Sequence, residues 1–406
     1  MTTTINNEHK KLNVPNLRFP EFQGEWEKTK FGDIATGFDY GMNAAAKNYD
    51  GVNKYIRITD IDEASSTYTD KDIVSPDGIL TDNYLVNNRD ILLARTGAST
   101  GKSYLYKKTD GKLYYAGFLI RANVTTQDPY FVFSQLHTHR YWRWVSIMSA
   151  RSGQPGINSQ EYSSFPIYIT SIEEENKIAK LLSLLDERIA TQNKIIEDLK
   201  KLKSAISKLL FMRKDLLETT IRLADIATLK NGFAFQSSKY NILGKWKIIT
   251  IANVSGGRYI NEEDCNCIIN LPNDIQDHQV LKEGDILISL TGNVGRVSLC
   301  KSGAYLLNQR VGLLQIEENI DKEFLYQVLS SRRFENSMVA CGQGAAQMNI
   351  GKGDVENFVL PYSSNANNIH LVARILHSYD ECIMNELREL TLLTMQKQYF
   401  LAQMFI

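Results

Sequence analysis

Residues 89–102 read RDILLARTGASTGK, and residues 284–296 read GDILISLTGNVGR. Both stretches contain a run of apolar residues, which predicts a buried strand, and both continue into a glycine-rich loop. The first loop is close to a phosphate-binding P-loop, but only three residues separate Gly97 from Gly101, one fewer than that motif requires. The second loop lacks the lysine and serine of the motif altogether. The pattern therefore argues against a nucleotide site and indicates a sequence that is written twice.

Four further pairs of segments occur in the same order in the two halves of the chain. They are FGDIATG at 31–37 and LADIATLKNG at 223–232, DPYFVFSQL at 128–136 and DKEFLYQVL at 321–329, SGQPGIN at 152–158 and CGQGAAQMN at 341–349, and FPIYI at 165–169 and LPYSS at 360–364. The offsets between paired residues lie between 191 and 195. The sequence thus predicts two copies of roughly 190 residues, each a mixed α/β domain followed by a helix.

The two glycine loops share a Thr-Gly turn, a second glycine and a cation, which is Lys102 in the first copy and Arg296 in the second. Glycine lets backbone amides approach a ligand closely, and a cation at this place suits a backbone phosphate. An ordinary glycine-rich hairpin has the same features. Both interpretations remain open from the sequence alone.

The composition is that of a globular protein with more than one domain, with 406 residues of which 43% are hydrophobic and 23% charged. The first residues are polar and no apolar run approaches the length of a membrane span, so we expect a cytoplasmic protein without membrane contact. Five cysteines, an odd number, favour reduced thiols. The 46 basic residues are balanced by 46 acidic ones, which gives a nucleic-acid function no support from charge.

Each copy ends in a long helical pattern. Apolar residues recur at seven-residue spacing from Leu182 to Leu210 and again from Leu376 to Met404. This spacing predicts two helices that pack as a left-handed coiled coil. Because the second helix starts at the second domain, we expect it to return antiparallel to the first.

Four polar residues interrupt the apolar seam of these helices: Gln192 and Lys203 in the first, Glu386 and Lys397 in the second. A polar residue in such a seam is tolerated best when a polar partner faces it. Placing Lys203 opposite Glu386 also places Gln192 opposite Lys397, whereas a shift of one heptad leaves the lysines against Leu or Tyr. The sequence predicts this register, in which the Lys203–Glu386 pair contributes specificity more than stability.

The repeated layout resembles the specificity (S) subunits of type I restriction–modification systems, and so do PNLRFPEF at 15–22, RDILLARTG at 89–97, GDILISLTG at 284–292 and FPIYITSIEEENKIAKLL at 165–182. The resemblance covers nearly the whole chain. It implies an α+β fold with two pseudo-symmetric mixed α/β target-recognition domains separated by a long antiparallel two-helix coiled coil. The expected boundaries are 1–170 for the N-terminal tail and first domain, 171–217 for the central helix, 218–365 for the second domain and 366–406 for the C-terminal helix.

In that family each domain reads one half of a bipartite double-stranded DNA sequence, and the helices set the spacer and dock two methyltransferase subunits. Restriction–translocase subunits join the larger complex. The resemblance implies a chain without catalytic residues, metal or cofactor of its own, because S-adenosylmethionine, ATP and magnesium belong to the partners. Two rival hypotheses are a pseudo-dimeric scaffold that spaces two protein ligands without DNA, and nucleotide hydrolysis at the glycine loops.

Base reading needs side chains with paired donors and acceptors, chiefly Arg for guanine and Gln or Asn for adenine. The candidates lie in loops that follow equivalent segments but differ between the copies. They are Arg95, Ser99, Thr100, Lys102, Arg151, Gln154 and Asn158 in the first domain, and Asn293, Arg296, Gln309, Arg310, Gln343, Gln347 and Asn349 in the second. For each residue taken singly, a solvated loop explains its polarity at least as well. The aromatic cluster RYWRW at 140–144 is interpreted as helix packing, because double-stranded DNA offers no exposed base to stack on.

Overall fold

The computed structural model describes residues 12–150, 155–342 and 348–406. Contacts divide the chain into two compact units. The first unit comprises Met1–Asn193 and Glu389–Ile406, and the second unit comprises Lys194–Arg388. Each unit therefore combines a mixed domain with parts of both long helices. The boundaries at 170, 217 and 365, which set the helices apart from the domains, stay a prediction.

The first unit is built around an antiparallel sheet. Its described strands are β1 (Glu27–Lys30), β2 (Ala35–Tyr40), β3 (Ala45–Asn48), β4 (Lys54–Ile56), β5 (Val74–Asp77), β6 (Asp90–Ala94), β7 (Ser103–Leu105), β8 (Leu113–Tyr115), β9 (Leu119–Val124) and β10 (Pro166–Ile169), and its helices are α1 (Phe31–Ile34), α2 (Pro129–Gln135), α3 (His139–Ser149), α4 (Ser159–Ser163) and the first part of α5 (Ile172–Met212). The main sheet has the order β2-β9-β6-β7. As its apolar sequence predicts, β6 is buried along its whole length.

The second unit repeats this plan. Its described strands are β11 (Thr219–Arg222), β12 (Ala227–Asn231), β13 (Trp246–Ile249), β14 (Asn266–Ile268), β15 (Val280–Leu281), β16 (Ile286–Ser289), β17 (Val297–Leu299), β18 (Tyr305–Leu307), β19 (Val311–Ile316) and β20 (Val359–Tyr362), and its helices are α6 (Lys322–Leu329), α7 (Arg332–Cys341), α8 (Lys352–Glu356) and most of α9 (Ala366–Gln403). The main sheet β12-β19-β16-β17 matches that of the first unit strand for strand. A parallel pair, β4 with β8 and β13 with β18, also occurs in both units. The duplication and the α+β fold class are confirmed.

In each domain the first strand and the last strand pair with each other. Antiparallel β1 and β10 pair from Glu27–Ile169 to Lys30–Pro166. In the second unit, β11 pairs with β20 in the same way, from Thr219–Tyr362 to Arg222–Val359. The chain therefore enters and leaves each domain at one place, next to the start of a long helix.

The long helices pack antiparallel within each unit. In the first unit, Ile178 and Leu182 near the start of α5 share a core with Leu401 and Met404 near the end of α9. Burial of such apolar faces is the main source of stability for a helix pair.

The two long helices pack antiparallel in the second unit as well. Ile206 and Leu210, near the end of α5, pack against the core that contains Val372 and Leu376, near the start of α9. The predicted antiparallel arrangement is thus confirmed in each unit.

The structure corrects the predicted partners of the seam lysines. Lys203 was expected opposite Glu386, but its ammonium group lies 2.6 Å from a carboxylate oxygen of Asp380. Lys397 was expected opposite Gln192, but its ammonium group lies 2.6 Å from Asp186.

The seam pattern missed these aspartates because they lie beside the seam and not in it. Asp186 follows the seam residue Leu185, and Asp380 follows Tyr379. A lysine side chain is long enough to leave the seam and reach a flanking position. Lys397 also gains more from Asp186 than from the amide of Gln192, because only a carboxylate neutralises the charge of a mostly buried ammonium group.

Candidate nucleic-acid interface

Three loops meet at one end of the main sheet in the first unit, where β6 ends. They are residues 95–102 after β6, residues 116–118 between β8 and β9, and residues 155–158 before α4. We call this surface the first loop rim. The end of β2 borders it, since the Tyr40 hydroxyl accepts a hydrogen bond from Ser159 N–H (3.3 Å).

Backbone hydrogen bonds hold the first loop rim together. Arg95 donates its N–H to Phe118 O (3.1 Å), and its carbonyl accepts from Ile157 N–H (2.9 Å), so one residue links all three loops. Gly97 N–H donates to Pro155 O (3.1 Å). Because these bonds join main-chain atoms, the frame tolerates changes in the side chains that it carries.

The second unit has the same frame. Its second loop rim consists of residues 290–296, 308–310 and 348–351. Leu290 donates its N–H to Arg310 O (3.0 Å) and accepts from Ile350 N–H (2.9 Å), while Gly292 N–H donates to Met348 O (3.0 Å). Position by position, Leu290 is therefore the counterpart of Arg95, and Arg310 is the counterpart of Phe118.

This frame corrects one pairing made from the sequence. The antiparallel bridges are Thr96 with Gly156 in the first unit and Thr291 with Asn349 in the second. Asn349 thus corresponds to Gly156, not to Asn158. The sequence alignment was wrong by two residues because it matched the two asparagines, whereas the frame keeps the offset of 193 residues that also relates Asp128 to Asp321.

Most backbone N–H groups of the first glycine loop are not available to a phosphate. A cradle needs unpaired N–H groups that point at the anion. The N–H groups of Gly97, Thr100, Gly101 and Lys102 all donate to backbone carbonyls. The Lys102 ammonium group is itself paired with Glu63 (3.0 Å). Of the two interpretations of the loop, the geometry favours the ordinary hairpin and disfavours nucleotide hydrolysis.

The second glycine of each loop has a packing role. Gly101 has φ +94°, and a Cβ there would lie 2.8 Å from Val145 Cγ1 of α3. Gly295 has φ +77°, and its Cβ would lie 2.6 Å from Met338 Cβ of α7. Glycine is therefore required so that each loop can reach a left-handed conformation directly against a helix.

Arg95 is the predicted residue best placed to meet a ligand in the first unit. Its Nε–H donates to Gly117 O (3.1 Å). Its guanidinium group lies over the rings of Tyr40 (4.9 Å) and Phe118 (5.8 Å). These aromatic rings are 44% and 56% exposed, and they are functional candidates that sequence reasoning missed. Phe118 could have been found by aligning it with Arg310.

Other predicted residues of the first unit are committed to internal bonds. The Thr100 hydroxyl is buried and donates to Gly97 O (2.8 Å). Asn158 caps α4, since its side-chain oxygen accepts from Glu161 N–H (2.9 Å). Ser99 is half-buried, and its backbone carbonyl accepts from Lys102 N–H (3.0 Å). Arg151 and Gln154 lie outside the described residues.

The predicted residues of the second unit divide by exposure. Arg296 is partly buried, with Nε 3.8 Å from a Glu335 oxygen. Gln343 and Gln347 lie outside the described residues. The exposed candidates on the second loop rim are Asn293, Gln309, Arg310 and Asn349.

Most of the RYWRW cluster packs against its own domain, as predicted, although Trp142 is 41% exposed. Tyr141 is buried, and its hydroxyl donates to Gly101 O (2.8 Å). Arg140 donates to Pro166 O (2.8 Å), and its burial lowers the pKa of its guanidinium group to about 10. The Trp144 ring lies 5.0 Å from that of Phe165. The cluster therefore stabilises the loop from beneath.

Within the described ranges, no group of three or more His, Cys, Asp or Glu side chains is arranged to hold a metal ion. In the same part of the chain, no helix combines the length and the apolar character needed to cross a bilayer.

Comparison by sequence relates the chain to one family of known proteins. The family described as "Type I restriction modification DNA specificity domain" matches residues 23–201 and 218–394. The MjaVIII specificity subunit of a type I restriction enzyme from Methanocaldococcus jannaschii is 27% identical over 374 residues, covering 85% of this chain and 83% of the relative. The putative MjaX specificity subunit of the same organism is 24% identical over 378 residues, covering 87% and 86%.

Among solved structures, the S subunit of a type I restriction–modification system from M. genitalium superimposes with a TM-score of 0.59 at 16% identity, covering 97% of this chain and 99% of that one. A chain from a structure of type I restriction–modification complex assembly and conformational transition gives a TM-score of 0.54 at 16% identity, covering 94% and 97%. These likenesses concern the fold. With two family matches that coincide with the two copies of the repeat, the chain belongs to the family of type I restriction–modification DNA specificity subunits.

Proposed function

We propose that the two loop rims read the two halves of a bipartite double-stranded DNA sequence, one half for each domain. As a specificity subunit, the chain selects the sequence, and the long helices set the spacer and dock two methyltransferase subunits. Restriction–translocase subunits complete the assembly. S-adenosylmethionine, ATP and magnesium are bound by these partners and not by this chain.

One observation carries the proposal. Both units have the same backbone frame, with Arg95 and Leu290 at its matching centres, yet the side chains that the frame presents are different. A reader of two unlike half-sequences needs this combination, because direct readout depends on side chains held in a fixed geometry at the base edges.

The balanced net charge fits a subunit that works inside a complex. Nonspecific affinity for DNA comes mainly from cations that meet phosphates. Several cations of this chain are already paired, among them Lys102 with Glu63 and Arg57 with Asp60 (2.7 Å). The partner subunits would then supply many of the phosphate contacts.

The rival hypothesis of a scaffold without DNA receives no support from the comparisons, because the matched family is defined by DNA specificity. A scaffold also gives no reason for each rim to present a guanidinium group, that of Arg95 in the first unit and that of Arg310 in the second.

Domain exchange tests the proposal directly. Residues 31–165 are replaced by the corresponding segment of a relative, cut between the paired strands β1 and β10 so that the sheet register is retained. The chain is co-expressed with its methyltransferase partner, and modified adenines are mapped across the genome. We expect one half of the methylated sequence to change while the other half and the spacer stay the same.

The matched control is the exchange of residues 223–358 between β11 and β20, which should change the other half alone. If either exchange altered both halves, or if methylation did not depend on this chain, the assignment of one reader to each half would be wrong.

A further inference from the structure

The first loop rim holds one arginine in a fixed orientation with free donors. Nε–H of Arg95 donates to Gly117 O (3.1 Å), and the guanidinium carbon lies over the rings of Tyr40 (4.9 Å) and Phe118 (5.8 Å). Among the described residues, none forms a hydrogen bond with the two terminal nitrogens of Arg95, and no carboxylate forms an ion pair with them. The guanidinium group is thus positioned in advance, which reduces the entropy lost when it binds a ligand.

The cleft beside Arg95 has a volume of about 520 Å³. Its described lining contains a second guanidinium group, that of Arg57, and no carboxylate. Arg57 is occupied by a two-point bond with Asp60 (2.7 and 2.9 Å). Arg95 is therefore the cation of this cleft that remains available to a ligand.

The second unit presents an arginine from the facing loop. Where the first unit has Arg95, the second has buried Leu290, and where the first has Phe118, the second has exposed Arg310. The same backbone hydrogen bond joins both pairs, at 3.1 Å and 3.0 Å. The arginine and its apolar neighbour have exchanged loops, and each rim keeps one guanidinium group at the junction of these two loops.

Two observations favour a base edge over a phosphate as the ligand. A phosphate site usually gathers several cations or unpaired amides, but the amides of Gly97, Thr100 and Gly101 are already bonded. A single arginine with two parallel donors matches the O6 and N7 acceptors of guanine in the major groove.

We infer that Arg95 and Arg310 are specificity-determining residues that each bind the O6 and N7 edge of a guanine, one in each half of the target sequence. This inference rests on the proposed function and adds to it the identity of one base in each half. In the first domain the arginine lies in the loop after β6, and in the second it lies in the loop between β18 and β19, but both bind guanine in the same way.

The test uses the chain with its methyltransferase partner and genome-wide mapping of methylated adenines. Arg95→Ala is expected to lower the preference for guanine at one position of one half by about 10- to 100-fold, with the other half unchanged. Arg310→Ala is expected to do the same in the other half. Lys108→Ala is the control, because this exposed lysine follows β7 at the far end of the β6–β7 hairpin, where Leu105 pairs with Ile91.

A double substitution sharpens the test. Arg95→Leu with Phe118→Arg reproduces in the first unit the arrangement of the second. It is expected to restore the guanine preference to within about 10-fold of the natural protein, whereas Arg95→Leu alone should not. Co-purification with the methyltransferase subunit verifies that each variant is folded.

Three results would overturn the inference while leaving the proposed function intact. One is a natural target without guanine in either half, another is an unchanged sequence methylated more weakly at every site, and the third is failure of the double variant to restore guanine. Loss of any link between this chain and the methylated sequence would instead refute the proposed function itself.

Discussion

The two units contain the same helix ion pair in different surroundings. Asp186 holds Lys397 in the first unit, and Asp380 holds Lys203 in the second, both at 2.6 Å. The aspartates occupy matching positions on their helices, and so do the lysines. The pair is thus a feature of the repeated framework.

In the second unit the pair belongs to a larger charged network. Asp380 is 6% exposed and also accepts from Arg258 (3.0 Å) and from Gln327 Nε2 (2.7 Å). Arg258 in turn bonds Glu323 (2.6 Å). Burial lowers the pKa of Arg258, but the hydrogen bond and charge of Glu323, together with Tyr259 and the charge of Asp380, outweigh burial in sum and raise that pKa overall. Two cations and two carboxylates neutralise one another there.

In the first unit the pair is more exposed and has neutral neighbours. The Asp186 side chain is 28% exposed and accepts from the Tyr130 hydroxyl. His137 lies near the pair, and its burial lowers the pKa of its imidazole to about 4, so it is neutral at physiological pH. A duplicated ion pair can therefore be retained in both units and still contribute differently to stability, because the dielectric surroundings set the strength of an ion pair.

Removing each aspartate is the strongest test of this difference. Asp380→Asn leaves Lys203 without its anion in a buried network, and we expect a loss of about 3–5 kcal/mol in the free energy of unfolding. Asp186→Asn should cost only about 1–2 kcal/mol, because water reaches that pair. Urea unfolding followed by circular dichroism measures both. Equal losses for the two variants would show that burial does not distinguish the pairs.

The first glycine loop contains two glycines, Gly97 and Gly101, that differ in their surroundings. Gly101→Ala places a Cβ against Val145 in a left-handed conformation, and we expect it to cost about 2–4 kcal/mol. Gly97→Ala is the matched control, since Gly97 has φ +71° but no atom of the described residues lies within 4 Å of its Cβ position. Its cost should be about 1–2 kcal/mol, from the backbone conformation alone. Thermal unfolding of both variants measures the two losses. An equal decrease in Tm for the two variants would contradict the packing role of Gly101.

The starts of the long helices differ in a titratable group. Glu175 is buried in α5, whereas the matching residue in α9 is Ile369. Burial raises the pKa of Glu175 to about 7, although hydrogen bonds from the N–H groups of Asp128 and Thr170 lower it in part. The folded protein therefore holds the proton more tightly than the unfolded chain does.

This shift predicts a pH dependence of stability. The unfolded chain loses the proton of Glu175 near pH 4.5 and the folded protein near pH 7, so the contribution of this group to stability falls as pH rises between these values. From pH 5.5 to 8.5 we expect a decrease of about 1–2 kcal/mol that Glu175→Gln abolishes. Exposed Glu173 gives the control, since Glu173→Gln should leave the decrease in place. The measurement is urea unfolding at both pH values. If the Glu175→Gln variant lost as much stability between pH 5.5 and 8.5 as the natural protein, Glu175 would not be the group responsible.

Much of the architecture could be predicted from the sequence. The repeat, the apolar strand at β6 and the heptad spacing of the long helices are local patterns, and local patterns survive in a sequence without its fold. The antiparallel direction followed from connectivity. The RYWRW cluster was assigned to packing because its target would offer no unstacked base.

The side-chain roles could not be predicted in the same way. Asn158 and Asn349 are both asparagines in matching segments, but one caps a helix and the other bridges Thr291. Arg95 and Arg310 are 215 residues apart in the sequence, against an offset of 191 to 195 for paired segments, so no repeat alignment relates them. Their shared position became visible only through the backbone bonds of the two rims.

Repetition and periodicity were enough to identify a duplicated α+β chain with two long helices and its family, because both are patterns of residues that are near one another in the sequence. Which polar side chains are bonded within the fold, and which are available at the rims, depended on the three-dimensional arrangement. The physical reason is that hydrogen-bond partners are chosen by proximity in space: Lys203 and Asp380 lie 177 residues apart along the chain, yet they are in direct contact.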